Sequence, residues 1–291
     1  MNAWSIESEF LVAIDSDGCA FDTMELKHKE CFIPNTIRYY DLQPVSKYAR
    51  EAAEFVNLYS VSRGINRFPA LIETLQWLQR RPDVTARNVA IKVPQSVCDW
   101  IENETKLGNP ALKEAVDRTG DAELARALEW SLAVNATIKD MVQGVPPFPG
   151  VKEALSELLG RADQVVCSAT PNEALQAEWS EHGIEQFVSA ICGQETGTKK
   201  ETLANARAYK PRHALMVGDA PGDFQAAEAN ECLFFPICPG EEEKSWRQFI
   251  DEAIPRFFNG TFDVEYQAEL LARFNAVLPV TPPWPVVTTE N

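Results

Sequence analysis

The stretch FLVAIDSDGCAFDT, Phe10 to Thr23, decides the fold. A short, mostly apolar run, Phe10 to Ile14, leads straight into Asp15, Asp17 and Asp22. An apolar run of this length, stopped by polar residues, reads as a strand buried on both faces, the kind that builds a parallel sheet covered by helices. Carboxylates are expensive to take out of water. Their crowding at the tip of such a strand calls for a positive partner at the same place.

Outward from this strand, the chain divides. Residues 24–145 show no comparable strand but several helical patterns, SKYAREAAEFVNLY, FPALIETLQWLQR, PQSVCDWIENETK and AELARALEWSLAVNATIKDMV, each apolar at three- and four-residue spacing. Several open on Pro or a capping residue. QGVPPFPG (143–150) cannot continue a helix and reads as a hinge. Strand and helix then alternate: VKEALSELLG, QVVCSA, NEALQAEWSEHG, FVSAICG, KKETLANARAY, HALMVGDA, GDFQAAEAN and CLFFPIC. Alternation of this kind specifies a parallel sheet with helices on both faces. The expected architecture is α/β: a Rossmann-like core from residues 1–23 and 146–240, an all-helical domain inserted at 24–145, and a helical C-terminal extension at 241–291. The extension holds two amphipathic segments, suited to covering the core's edge or to forming a homodimer. Its end, PVTPPWPVVTTEN, is expected to be irregular.

Composition narrows the function. The 291 residues carry a net charge of −16, which repels a phosphate backbone over most of the surface and argues against nucleic acid as a partner. A small anion is not excluded, because a metal or a few cations invert the field inside one pocket. No apolar run reaches 18 residues, so no membrane span is expected, and the N-terminus lacks a basic start and apolar core of a secretory signal. The seven cysteines include no C-x-x-C pair, and several sit in apolar runs. They read as buried thiols in a reducing cytoplasm.

In an open parallel sheet, ligands bind beyond the carboxyl ends of the strands. There the first strand delivers Asp15, Asp17 and Gly18, QVVCSA delivers Ser168, GTKKE follows the next strand with Lys199 and Lys200, and ALMV delivers Gly218, Asp219 and then Asp223. A hard divalent cation resolves the repulsion among such carboxylates and leaves room for a substrate phosphate. One carboxylate can then attack phosphorus, a second acid two residues on can protonate the leaving group, and Lys and Ser can spread charge from the phosphoryl oxygens.

In DSDGCAFD, VVCSAT, GTKKETL and MVGDAPGDFQAA, taken in that order, the chain resembles the haloacid dehalogenase superfamily, in its phosphoglycolate phosphatase and β-phosphoglucomutase-like branch with a helical cap after the first motif. PPFPGVKEAL resembles the return from that cap. The resemblance covers residues 8–22 and about 146–238. It implies a Mg²⁺-dependent phosphatase acting on a small phosphorylated metabolite through an aspartyl-phosphate. Asp15 would be nucleophile and metal ligand. Asp17 would be general acid/base, with its carbonyl on the metal. Ser168 would bind the phosphoryl group, with Gly18 and Ala169 beside it. Lys199, or Lys200, would hold nucleophile and phosphoryl. Asp219 and Asp223 would complete the metal site.

Two positions depart from the family pattern. Cys19 follows the first Gly where Thr or Val is frequent, and Lys27 stands where the sugar-phosphate mutases place a His, with His28 one later. The second departure weighs against a phosphomutase. A phosphonate hydrolase is the other enzymatic alternative, and no insert Lys is evidently placed for its Schiff base. Asp17 argues against a dehalogenase. A receiver domain lacks an insert after the first strand, and a non-catalytic phosphate-binding relative would not need Asp15, Asp17 and Asp219 together. In the insert, SVSRGINRFPA (60–70) places Arg63 and Arg67 before a helix in a very acidic chain. They are expected either to bind a distal, anionic part of the substrate or to be surface arginines of a helix connection.

Overall fold

The computed structural model describes residues 4–287, which form two compact units, one of residues 4–24 and 144–278 and one of residues 25–143 and 279–287. The first unit is built on a five-stranded parallel sheet: β1 (Leu11–Ile14), β2 (Asp163–Cys167), β3 (Ala190–Cys192), β4 (Ala214–Gly218) and β5 (Leu233–Pro236), in the order β3-β2-β1-β4-β5. β1 lies at the centre, with Leu11 opposite both Asp163 and Ala214. All four of its residues are fully buried, which is why the run has no polar face. Successive side chains point to opposite faces. Val12, Ile14, Val166, Leu215, Val217 and Phe235 enter one core layer, whereas Leu11, Ala13, Val165, Met216 and Phe234 enter the other.

The helices follow from spacing. Val151–Leu158 buries Val151, Ala154, Leu155 and Leu158, an i, i+3, i+4, i+7 stripe laid on the sheet. The chain returns from the insert beside the first motif: the Phe148 amide donates to the Ala20 carbonyl at 2.9 Å, and Phe21 bridges antiparallel to Pro147.

The C-terminal segment departs from the expected division. It does not form an extension of its own. Residues 241–278 belong to the sheet unit and residues 279–287 to the helical one. The reason is burial: Trp246, Phe249, Phe257, Phe262, Tyr266 and Leu270 lie in the same core layer as Val12 and Ile14. Trp246 is fully buried, crosses Phe249 edge-on at 5.5 Å, and donates from Nε1 to the Cys19 carbonyl at 2.8 Å. Trp246→Ala therefore empties an indole-sized space and orphans a buried carbonyl. The expected loss is about 3–5 kcal/mol, read as a lowered denaturant midpoint with unchanged slope.

The second unit is helical. Ser46–Leu58 and Arg67–Gln79 lie against each other, the first offering Ala49, Ala52 and Ala53 so that the backbones approach closely. Ala122–Met141 runs 20 residues from the Asp121 cap. Phe68 meets Trp100 and Trp130 edge-on at 5.0 and 6.1 Å, so these tryptophans are core residues. The irregular segment after Pro279 is tied to this unit: Trp284 crosses Phe55 at 5.6 Å and stacks under the Arg81 guanidinium at 4.5 Å, and the Val287 amide donates to the Arg80 carbonyl at 2.8 Å. The last four residues lie outside the described ones. Among the described residues no helix is long and apolar enough to cross a membrane. All seven cysteines are free thiols, five of them buried.

Candidate active site

β1 and β4 end side by side, and the Asp15 amide donates to the Val217 carbonyl at 3.0 Å. This pairing sets Asp15 at the sheet edge next to Asp219. Beyond Asp15 the chain turns tightly. Cys19, Ala20 and Phe21 amides all converge on the Ser16 carbonyl, and Gly18 takes φ +78°, a conformation glycine adopts without the Cβ penalty. The turn aims Asp17 back over the strand ends.

Lys199 stands at the first turn of helix Lys199–Leu203. Thr198 caps that turn: its Oγ1 accepts from the Glu201 amide at 3.2 Å, and the Glu201 carboxylate accepts from the Thr198 amide at 2.7 Å. Held this way, Lys199 Nζ reaches Asp15 Oδ2 at 2.6 Å and Asp223 Oδ1 at 2.5 Å. Lys200 is exposed. The other Asp223 oxygen accepts from the Asp219 and Ala220 amides, both at 3.1 Å. That fold-back of helix Pro221–Glu228 onto β4 requires Gly218, because a Cβ there would fall on the Asp223 carboxylate well inside van der Waals contact. Gly218→Ala is expected to cost about 1–3 kcal/mol, as overpacking does, and to displace Asp223. Thermal unfolding with and without a divalent ion checks both effects.

Asp15, Asp219 and Asp223 are 5%, 1% and 1% exposed, and one oxygen from each lies within 4.8 Å of the others. Three carboxylates against one ammonium leave the pocket short of positive charge. The electrostatics record this. Burial pushes the Asp15 carboxyl well above its ordinary range, Lys199 pulls it back, and the charges of Asp223 and Asp219 push it further up. Burial alone would lower the Lys199 ammonium, but Asp15 and Asp223 outweigh it and hold the amine protonated. The donors are all hard oxygens, which suits a divalent cation of the Mg²⁺, Ca²⁺ or Mn²⁺ type rather than zinc.

Asp17 is fixed by two hydroxyls. Thr23 Oγ1 donates to its Oδ1, and Thr170 Oγ1 donates to its Oδ2 at 2.7 Å. Ser168 is 4% exposed at the end of β2. Its amide donates to the Cys192 carbonyl at 3.0 Å, and its Oγ accepts from the Thr170 amide at 3.3 Å. Thr170 thus links Asp17 to Ser168. Ala169, between them, is exposed. Ser16 Oγ donates to Glu178 at 3.0 Å and accepts from Trp179 Nε1 at 3.0 Å, which anchors the loop from behind.

The structure therefore joins Asp15, Lys199 and Asp223 by direct contact, with Asp219 in the same carboxylate group, and joins Asp17 to Ser168 through Thr170. Thr23, Thr170, Ser16 and Glu178 were not singled out from sequence. Only Thr170, two residues past the strand's Ser, sits where a strand-end motif would draw the eye. Arg63 and Arg67 belong to the helical unit. Arg63 is buried and donates to the Leu58 carbonyl at 2.9 Å. Arg67 donates to the Ser131 hydroxyl at 2.9 Å and to Asn135 at 2.7 Å, lies over the Phe32 ring, and is pushed down to about 10 by burial.

The family model for haloacid dehalogenase-like hydrolases matches residues 100–236, which hold Ser168, Lys199, Asp219 and Asp223 but neither Asp15 nor Asp17. No curated protein matches the chain. Among solved structures, a haloacid dehalogenase-like family hydrolase from Streptococcus pneumoniae shares 12% identity, with 82% of this chain and 90% of that one covered, at a TM-score of 0.48. A protein from Haemophilus somnus, described as a predicted phosphoglycolate phosphatase, shares 18% over 79% and 86% at 0.40. CbbY from Rhodobacter sphaeroides, in complex with phosphate, shares 13% over 80% and 87% at 0.39. At these identities and scores nothing about this chain's chemistry follows from the three likenesses.

Proposed function

We propose, from the premise that this chain is a haloacid dehalogenase-like hydrolase, that it is a Mg²⁺-dependent, cytoplasmic phosphatase of a small phosphorylated metabolite, working through an aspartyl-phosphate on Asp15. The observation that carries this reading is Lys199 forked between Asp15 and Asp223 while Asp15, Asp219 and Asp223 share a 4.8 Å cluster. A buried carboxylate held by an ammonium, open to a site that favours anions once a cation is present, is a nucleophile aimed at phosphorus.

Asp15, Asp219 and Asp223, with the Asp17 carbonyl, would hold Mg²⁺, which when bound offsets the charge of the phosphoryl oxygens. The chain's own residues do the rest. An Asp15 oxygen bonds to phosphorus as the bond to the ester oxygen breaks, and the leaving oxygen takes the proton of Asp17. Asp17, now a carboxylate, takes a proton from water as that water attacks phosphorus. Inorganic phosphate leaves and Asp15 is restored. Thr23 and Thr170 keep the Asp17 carboxyl in place through both steps. The Ser168 hydroxyl and Lys199 serve the phosphoryl oxygens, with Gly18 and Ala169 beside them.

The test is hydrolysis of 4-nitrophenyl phosphate with Mg²⁺, then a panel of phosphorylated metabolites. Turnover that disappears on chelation and returns with Mg²⁺ supports the reading. A metal-independent rate, or none across the panel, counts against it. Metal binding has its own readout. A ligand that binds only the folded state adds about 2.7 kcal/mol at one hundred times its Kd. Mg²⁺ is therefore expected to raise the Tm of the wild type by several degrees, and to raise that of Asp219→Asn by little.

A further inference from the structure

The C-terminal helices bound a cavity that this chemistry does not use. It measures about 220 Å³ and lies past the end of β5, between helices Glu242–Gln248 and Val264–Ala276. Its lining combines the apolar Pro236, Leu270 and Ala276 with Lys244, Gln248 and Arg273, the last on the same helix as Leu270 and Ala276. The Ser245 hydroxyl in the lining is already used: it accepts from the Cys238 amide at 3.0 Å and donates to the Glu241 carbonyl at 2.9 Å.

Arg273 is the informative residue. Arg273 donates at 2.7 Å to the Gln248 amide oxygen, a neutral acceptor, and Gln248 spends its own amide on Glu252. A guanidinium has five donors in a fork matched to a carboxylate. Lys244 pairs with Glu241 at 3.1 Å, but both are more than half exposed, so that pair is weak and easily exchanged. A lining that mixes cationic and apolar side chains selects a molecule with one anionic end and a carbon body. Glu241 beside Lys244 disfavours a dianion. The volume is below the roughly 300 Å³ at which drug-sized pockets begin, so the body is a single ring or a short chain.

We infer that this cavity binds a small organic monocarboxylate, aryl or short alkyl, at a site separate from Asp15. The place has consequence for the fold's working edge. Pro236 pairs with Gly218 in the sheet, and the Ile237 amide donates to the Gly218 carbonyl at 2.8 Å, so the cavity wall adjoins the strand end that carries Asp219.

Isothermal titration of the full chain with benzoate, hexanoate and the neutral benzamide tests this. Saturable one-to-one binding of either carboxylate is expected, with benzamide and Arg273→Gln each weaker by tenfold or more. Ala276→Trp, on an exposed helix end and therefore safe for folding, is expected to fill the space and abolish binding. Asp219→Asn is expected to leave it unchanged. The inference falls if neither carboxylate saturates by about 10 mM, if benzamide binds equally, or if Asp219→Asn removes binding while Arg273→Gln does not. It does not depend on the phosphatase reading.

Discussion

Asp15→Asn is expected to lower 4-nitrophenyl phosphate turnover by about three orders of magnitude or more, while the protein without metal stays at least as stable as the wild type. The amide matches the carboxylate in shape but is a far poorer nucleophile, so no acyl phosphate forms. The stability half follows from linkage. Burial and the charges of Asp223 and Asp219 raise the Asp15 carboxyl above its ordinary value despite Lys199. A carboxyl raised on folding binds protons more readily in the folded state, so its ionisation opposes folding as pH rises past the unfolded value. An uncharged amide removes that opposition at neutral pH, and Lys199 keeps Asp223 as a partner. Steady-state rates and thermal unfolding in chelator check the two halves. A variant that keeps its rate overturns the nucleophile assignment, and one that loses its rate only because it unfolds leaves the assignment without support.

Asp17→Asn is expected to act differently. Its two hydroxyl donors, Thr23 and Thr170, hold both carboxyl oxygens, so the side chain has little freedom. Loss of a general acid/base costs about 10²–10⁴-fold. The loss should depend on the leaving group. Nitrophenolate departs without a proton, whereas an alkoxide does not, so the variant should lose more against an alkyl phosphate than against the nitrophenyl ester in single-turnover release of the alcohol or phenol. Equal losses on both esters would place Asp17 outside leaving-group protonation. Thr170→Val should reproduce the same pattern more weakly, because it removes one hydroxyl donor and no acid.

Much of this was legible in the chain. Leu11 to Ile14 could only be a strand buried on both faces, since four consecutive apolar residues leave no side for water. The order of Asp15, Ser168, Lys199 and Asp219 along successive strand ends placed them on one edge, because parallel strands all finish on the same side of a sheet. Helical spacing marked the insert, and the Pro-rich hinge marked its end.

Local pattern could not go further where the deciding contact is remote. Lys199 and Lys200 are adjacent, and only the resemblance favoured the first; the Thr198 cap sets the helix phase that sends Lys199 inward and leaves Lys200 exposed. Asp17 depends on Thr170, 153 positions away. Trp246 reads as one apolar residue of an amphipathic tail, yet it closes the core under Cys19. Gly218 reads as a strand end, and only the returning helix shows that a methyl group there would strike Asp223. Composition and spacing thus determined which residues must be buried and which strand ends must meet. Tertiary packing decided which donors face the carboxylates and what the C-terminal helices cover, because side-chain direction is set by neighbours that the local sequence does not contain.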